Sequence, residues 1–171
     1  MLNKPLAPGL MLARTMRGHA ASDQVAGALR AMETSNAPAL AVLERFGVSS
    51  LTDVTGFGLL GHLAEMLRAS AVGASISAAA VPALPGACEL LAAGIRSSLH
   101  RNNVQVLGDF EQEPGLSQAR LDLLVDPQTS GGLLAGVPAG QAEACVAALR
   151  EAGYPRACVI GTVTDAWRIT A

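Results

Sequence analysis

Two segments hold residues whose types and spacing can do chemistry. They are Asp53-Val54-Thr55-Gly56-Phe57-Gly58 and Asp126-Pro127-Gln128-Thr129-Ser130-Gly131-Gly132. Each runs from an Asp through a Thr to a pair of glycines and then Leu-Leu, at Leu59-Leu60 and at Leu133-Leu134. An internal duplication explains this shared grammar, and so does chance resemblance between two turns. Asp53 follows a β-leaning run, Val48 to Thr52, and precedes Leu59, Leu60, Leu63, Met66 and Leu67 at helical spacing. An aspartate at a strand end presents a hard anionic oxygen of the kind Mg²⁺ takes. Glycines behind it let the backbone approach a ligand, and the free N–H groups of a starting helix suit phosphate oxygens. Asp53 is therefore the candidate metal ligand, and Thr55, Gly56 and Gly58 are the candidate cofactor-facing positions. A plainer reading fits the same residues: Asp53 caps the helix, and the glycines serve only turn geometry.

One carboxylate is too few for a Mg²⁺–polyphosphate site. Glu65 reads as a solvated surface charge, so further ligands of Asp53 are expected from another part of the protein. GxxxxGK[ST] and a GxGxxG after a strand are both absent. The second segment has no charge beyond Asp126, and Pro127 lacks a backbone donor. It reads as a tight strand-to-strand connection with Asp126 bonding local N–H groups, or alternatively as a loop facing phosphate or substrate. His62 suits packing against neighbouring elements better than service as a base. Arg101, Asn102 and Asn103 form a polar cluster in a loop over 97–103, where Arg101 either grips a phosphate or lies solvated. His19, His62 and His100 lack zinc-binding spacing. Cys88, Cys145 and Cys158 include no CxxC pair and read as small buried apolar residues of a reducing compartment, with one reactive thiol as the alternative.

The elements that must position these residues follow from periodicity and punctuation. Helices are expected from Ser22 to Met32, with Ser22 or Asp23 as cap, and after Asn36, with Leu40, Leu43 and Phe46 as its apolar stripe and Gly47 as its end. A strand near 73–78, a helix near 86–93, a buried strand at 121–125 and a strand at 133–137 follow. A helix from Pro138 to Arg150 and closing strands at 158–163 and 167–169 complete the chain. Strands and helices interleave without strict alternation, which predicts a layered α+β domain around a mixed sheet. The 171 residues suit one domain, and no composition shift marks a second. Half of them are hydrophobic, yet no apolar run reaches membrane-spanning length. The opening residues lack a signal-peptide stretch, so a cytoplasmic protein is expected. Scattered charges with a net of −2, and 3% aromatic residues, give no footprint for nucleic acid.

Thr52 to His62 and Asp126 to Leu134 resemble two hallmark segments of selenophosphate synthetase (selenide, water dikinase). Lys4-Pro5-Leu6-Ala7-Pro8-Gly9 resembles the Lys-Pro-Leu-Gly-(Thr/Ser)-Gly run that opens that family's C-terminal half. Order and spacing match across nearly all of residues 1–171. The resemblance implies the C-terminal domain of the aminoimidazole ribonucleotide synthetase-like superfamily, with α/β/α layers around a mixed β-sheet. It also implies a reaction in which ATP, selenide and water give selenophosphate, AMP and orthophosphate, with Mg²⁺ required.

Carried over by residue, Asp53 matches the family's C-terminal aspartate that helps bind Mg²⁺ at the ATP phosphates. Arg101 and Asn102 keep the end of a Gly-Gly-Thr-x-Arg-Asn-like run whose glycines are replaced by Ser97 and Ser98. Ala7 and Pro8 stand where the family has Gly and Thr or Ser. The family's reactive Cys or selenocysteine, its essential Lys and its other metal aspartates belong to an N-terminal half. Cys88, Cys145, Cys158 and Lys4 do not occupy those positions. These residues alone are therefore expected to be inactive, meeting ATP and selenide through that half in an enzyme that is homodimeric as a whole. A binding or regulatory module that kept the fold and acts by association is the competing reading.

Overall fold

The computed structural model describes residues 1–16 and 22–170; His19 lies outside them. The order of elements is α1 (Pro8–Met16), α2 (Ser22–Glu33), α3 (Ala37–Arg45), β1 (Ser50–Asp53), α4 (Gly58–Ser70), β2 (Gly73–Ser77), α5 (Ala87–Ala92) and α6 (His100–Asn103). Then come β3 (Glu111–Gln112), α7 (Gln118–Val125), β4 (Leu133–Gly136), α8 (Ala142–Glu151), β5 (Gly161–Thr164) and β6 (Trp167–Thr170). Short 3₁₀ turns cover Val104–Asp109 and Ala139–Gln141. The expected α+β class with a mixed sheet is present. Four strands run in the order β3-β6-β2-β5, with β2 parallel to β6 and antiparallel to β5. The mixed sheet does not include β1 and β4, which form a separate antiparallel pair.

Strand β4 explains why that pair holds its register. Leu134 faces the main core formed with α1, α4, α5 and α7, while Leu133 and Ala135 face a second cluster with Val42, Leu43, Val146 and Leu149. Alternation along the strand thus buries both faces, and a one-residue slip would exchange the two cores' side chains. Each of these leucines contributes about 1.5–3 kcal/mol by leaving water. Leu2 bridges Leu134 on one side and Cys158 on the other, tying the first residues into this region. No helix among the described residues is long and apolar enough to cross a membrane.

Several local expectations are corrected. Residues 121–125 are the end of helix α7, not a strand. The Ser117 side chain accepts the Arg120 N–H and starts the helix. Because all five residues are buried, no exposed stripe marks the helical period. The segment after it consequently joins a helix to a strand rather than two strands. The loop over 97–103 contains the short helix α6.

Asn36 precedes α3 but does not cap it with its side chain. The Tyr154 hydroxyl accepts the Ala39 N–H instead and donates to the Ser35 carbonyl. The buried face of α3 is Ala39, Val42 and Leu43, with Leu40 exposed. Helix α2 starts at Ser22, so its capping position lies outside the described residues. Only Cys145 of the three free cysteines is fully buried, while Cys88 and Cys158 are half-buried. Burial pushes the thiols of Cys145 and Cys158 above the usual range. The strand expected at 158–163 is shorter, with Cys158 contributing an isolated bridge and β5 starting at Gly161.

Candidate functional site

Asp53 ends β1 opposite Leu133 of β4. It is exposed, and among the described residues its carboxylate has no hydrogen-bond or ion-pair partner. The capping reading fails on geometry. Phe57, not Asp53, holds the N-cap position of α4, and no side chain bonds the helix N–H groups there.

The two glycine segments pack against each other. The Val54 N–H donates to the Gly132 carbonyl at 2.8 Å, and the Gln128 N–H donates to the Thr55 carbonyl at 2.9 Å. Gly58 has φ +72°, and a Cβ on it would sit 2.7 Å from the Val125 carbonyl. Gly131 lies so near the Val54 carbonyl oxygen that a side chain there would overlap it. Both glycines therefore serve the close approach of one loop to the other. The Gly58 N–H is already committed to the Thr55 carbonyl at 3.0 Å, so it is closed to a phosphate. The Gly56 N–H makes no hydrogen bond among the described residues.

Residues from the start of the chain lock the second loop. Lys4 is buried, and its ammonium donates to the carbonyls of Thr34, Ser130 and Ala31 at 2.8, 2.9 and 3.3 Å. Burial lowers its pKa. The Asn3 side chain accepts the Leu133 N–H and donates to Asn36, whose amide donates to the Gly131 carbonyl. The Ala7 N–H donates to Gln128 Oε1 at 2.8 Å. Ala7 itself sits at φ +80°, backbone that glycine enters freely and alanine does not. The segments at 4–9, 52–62 and 126–134 thus converge on one place.

The other expected site residues do not share this convergence. Arg101 and Asn102 are exposed on α6, and among the described residues neither side chain has a hydrogen-bond partner. Asn103 makes the contact instead, donating to the Gly56 carbonyl at 2.9 Å and the Val125 carbonyl at 3.0 Å. Its place one residue past Arg101-Asn102 was the available signal. A shallow groove beside the loop is lined by Phe57, Gly61, Glu65, Arg68, Asn102 and Asn103. Glu65 pairs with His62, so it is more than a free surface charge. His62 is buried, in contact with Phe57, Thr55 and Glu65.

Asp126 does not bond local N–H groups. Its side chain is wholly buried, and both carboxylate oxygens lack a partner among the described residues. Burial, assisted by the Asp122 charge, pushes its pKa up to about 7. Asp122, one helical turn earlier, is paired with Arg96, His100 and Gln118.

Among the described residues, no group of three or more His, Cys, Asp or Glu side chains is placed to hold a metal ion. Asp53 fits a hard cation as one oxygen donor, exposed and unpaired, and the remaining donors are not among these carboxylates.

The chain is similar to known proteins over nearly its whole length. The selenide, water dikinase of Pelobacter propionicus is 42% identical over 166 residues, covering 96% of this chain and 48% of the relative. That of Bordetella bronchiseptica is 44% identical over 148 residues, covering 86% of this chain and 42% of the relative. The chain spans about half the length of the curated relatives it matches. Among solved structures, the hydrogenase maturation protein HypE of E. coli superposes with a TM-score of 0.64 at 19% identity, over 99% of this chain and 44% of that one. Thiamine-monophosphate kinase from Stenotrophomonas maltophilia gives 0.62 at 18% identity, over 98% of this chain and 48% of that one. Both likenesses show the fold alone. The family model described as "AIR synthase related protein, C-terminal domain" matches residues 7–171, and the chain belongs to that family.

Proposed function

We propose that this chain is the C-terminal half of a selenide, water dikinase and that Asp53 supplies one ligand to Mg²⁺ at the ATP phosphates. In the whole enzyme the reaction joins ATP, selenide and water to give selenophosphate, AMP and orthophosphate. The observation that carries the reading is an exposed, unpartnered carboxylate held rigidly at a strand end beside two interlocked glycine loops. The likeness to selenide, water dikinases over nearly the whole chain supports the substrate class.

Bound Mg²⁺ neutralises phosphate charge and orients the phosphoryl groups. This chain's own contribution is positioning. The β1–β4 ladder fixes Asp53, the second loop clamps Val54 and Thr55, the held Thr55 carbonyl orients the open Gly56 N–H of the same peptide, and Asn103 holds the Gly56 carbonyl of the next. Phe57 and Leu99 are exposed beside Gly56, giving an apolar rim for another half to cover.

The test is ATP binding by the Pelobacter propionicus enzyme with its matching half replaced by this chain. Asp53→Asn is expected to remove most of the Mg²⁺-dependent part of the affinity while leaving metal-free binding unchanged. Equal Mg²⁺ dependence in both proteins overturns the reading.

A further inference from the structure

A wholly buried carboxyl stands where the two glycine loops lock together. Asp126 follows Val125, whose carbonyl takes a 3.0 Å bond from Asn103 and lies against Gly58. Two residues further on, the Gln128 N–H holds the Thr55 carbonyl, and the Gln128 side chain holds the Asp126 carbonyl at 2.7 Å. Asp126 thus lies between two points at which the second loop grips the first. Neither of its carboxyl oxygens has a partner among the described residues.

Among the described residues, no group around Asp126 settles a negative charge on it. Helices α4, α5 and α6 and the turn at 104–109 pack on α7. On them, His62 is engaged with Thr55 and Glu65, Asp109 with Arg68, and Glu89 and Arg101 are exposed. Arg96 and His100 pair with Asp122, and Lys4 bonds three backbone carbonyls. Asp122 is the charge that bears on Asp126, and it has the same sign. An ionised carboxyl without donors is strongly disfavoured in a dry site, so the closed loops favour the protonated form. Parting the loops lets water solvate the charge.

We propose that protonated Asp126 is a latch, and that losing its proton favours a local opening in which the second loop parts from the first and releases Val54 and Thr55. Residues 126–132 contribute no side chain to either core cluster, so both cores stay packed when they move. Asp53 adjoins the released residues, and the latch sets how firmly it is held. The inference goes beyond the reading of Asp53 and does not depend on it.

Amide exchange of this chain, followed by NMR between about pH 5 and 8, tests the latch. Protection of the Val54 and Gln128 amides is expected to fall roughly fivefold to tenfold per pH unit up to about pH 7 and then level off. It is expected to lie at least about 100-fold below that of the interior strand β2 and to be unchanged by about 1 M urea, which marks a local opening. Asp126→Asn is expected to make the protection of both amides independent of pH.

Protection of Val54 and Gln128 that is flat with pH in the parent overturns the proposal, and this reading needs no variant. So does a urea dependence equal to that of β2, because the loops then part only on global unfolding. An unchanged pH slope in Asp126→Asn places the proton on another group and overturns it likewise.

Discussion

Gly131 lies directly against the carbonyl oxygen of Val54, too close for any side chain, and this contact holds the second glycine loop beneath the first. Gly131→Ala must push the loops apart. The expected cost is about 2–4 kcal/mol, typical of a forced overlap with backbone. Urea denaturation measures it. A variant as stable as the parent contradicts the packing described.

Ala7 poses the opposite case. Its φ of +80° strains an alanine while its N–H is held by Gln128 Oε1. Ala7→Gly releases that strain but frees the unfolded chain, so a net gain of about 0.5–1 kcal/mol is expected. The midpoint of urea unfolding should rise. A fall shows that the unfolded-chain entropy outweighs the strain.

Asp126 gives a pH dependence whose sign is unusual for a carboxylate. It keeps its proton to about pH 7 when folded, against 3.8 when unfolded, because burial disfavours the charge. Between those values folding takes up a proton, so stability falls as pH rises and levels off above about 7. Each unit in that window costs about 1.4 kcal/mol. Asp126→Asn removes the dependence, and between pH 5 and 8 it should gain roughly 2–3 kcal/mol relative to the parent. Parallel pH profiles for the two proteins would contradict a neutral buried Asp126.

The parts of the site that depend on local pattern were legible in the sequence. Helix α4 shows its period because one face meets water, and Asp53 stands at the junction of a β-leaning run and that helix. Helix α7 was misread as a strand because burial on every side erased the pattern, although Asp122 within it demanded buried partners. Lys4, Asn36 and Gln128 act on carbonyls and N–H groups 27 to 126 positions away, which no local spacing reveals. Thr55, His62 and Glu65 were nearer to hand. A loop threonine followed by a histidine and a glutamate one helical turn apart was a readable signal for the contacts of His62.

The most direct measurement is selenide-dependent AMP formation from ATP, followed by ³¹P NMR, in the Pelobacter propionicus enzyme carrying this chain as its matching half. The account predicts turnover with the parent chain and a loss of roughly 100-fold or more with Asp53→Asn. Full turnover with Asp53→Asn, or a folded graft that binds ATP yet never forms AMP, would contradict it.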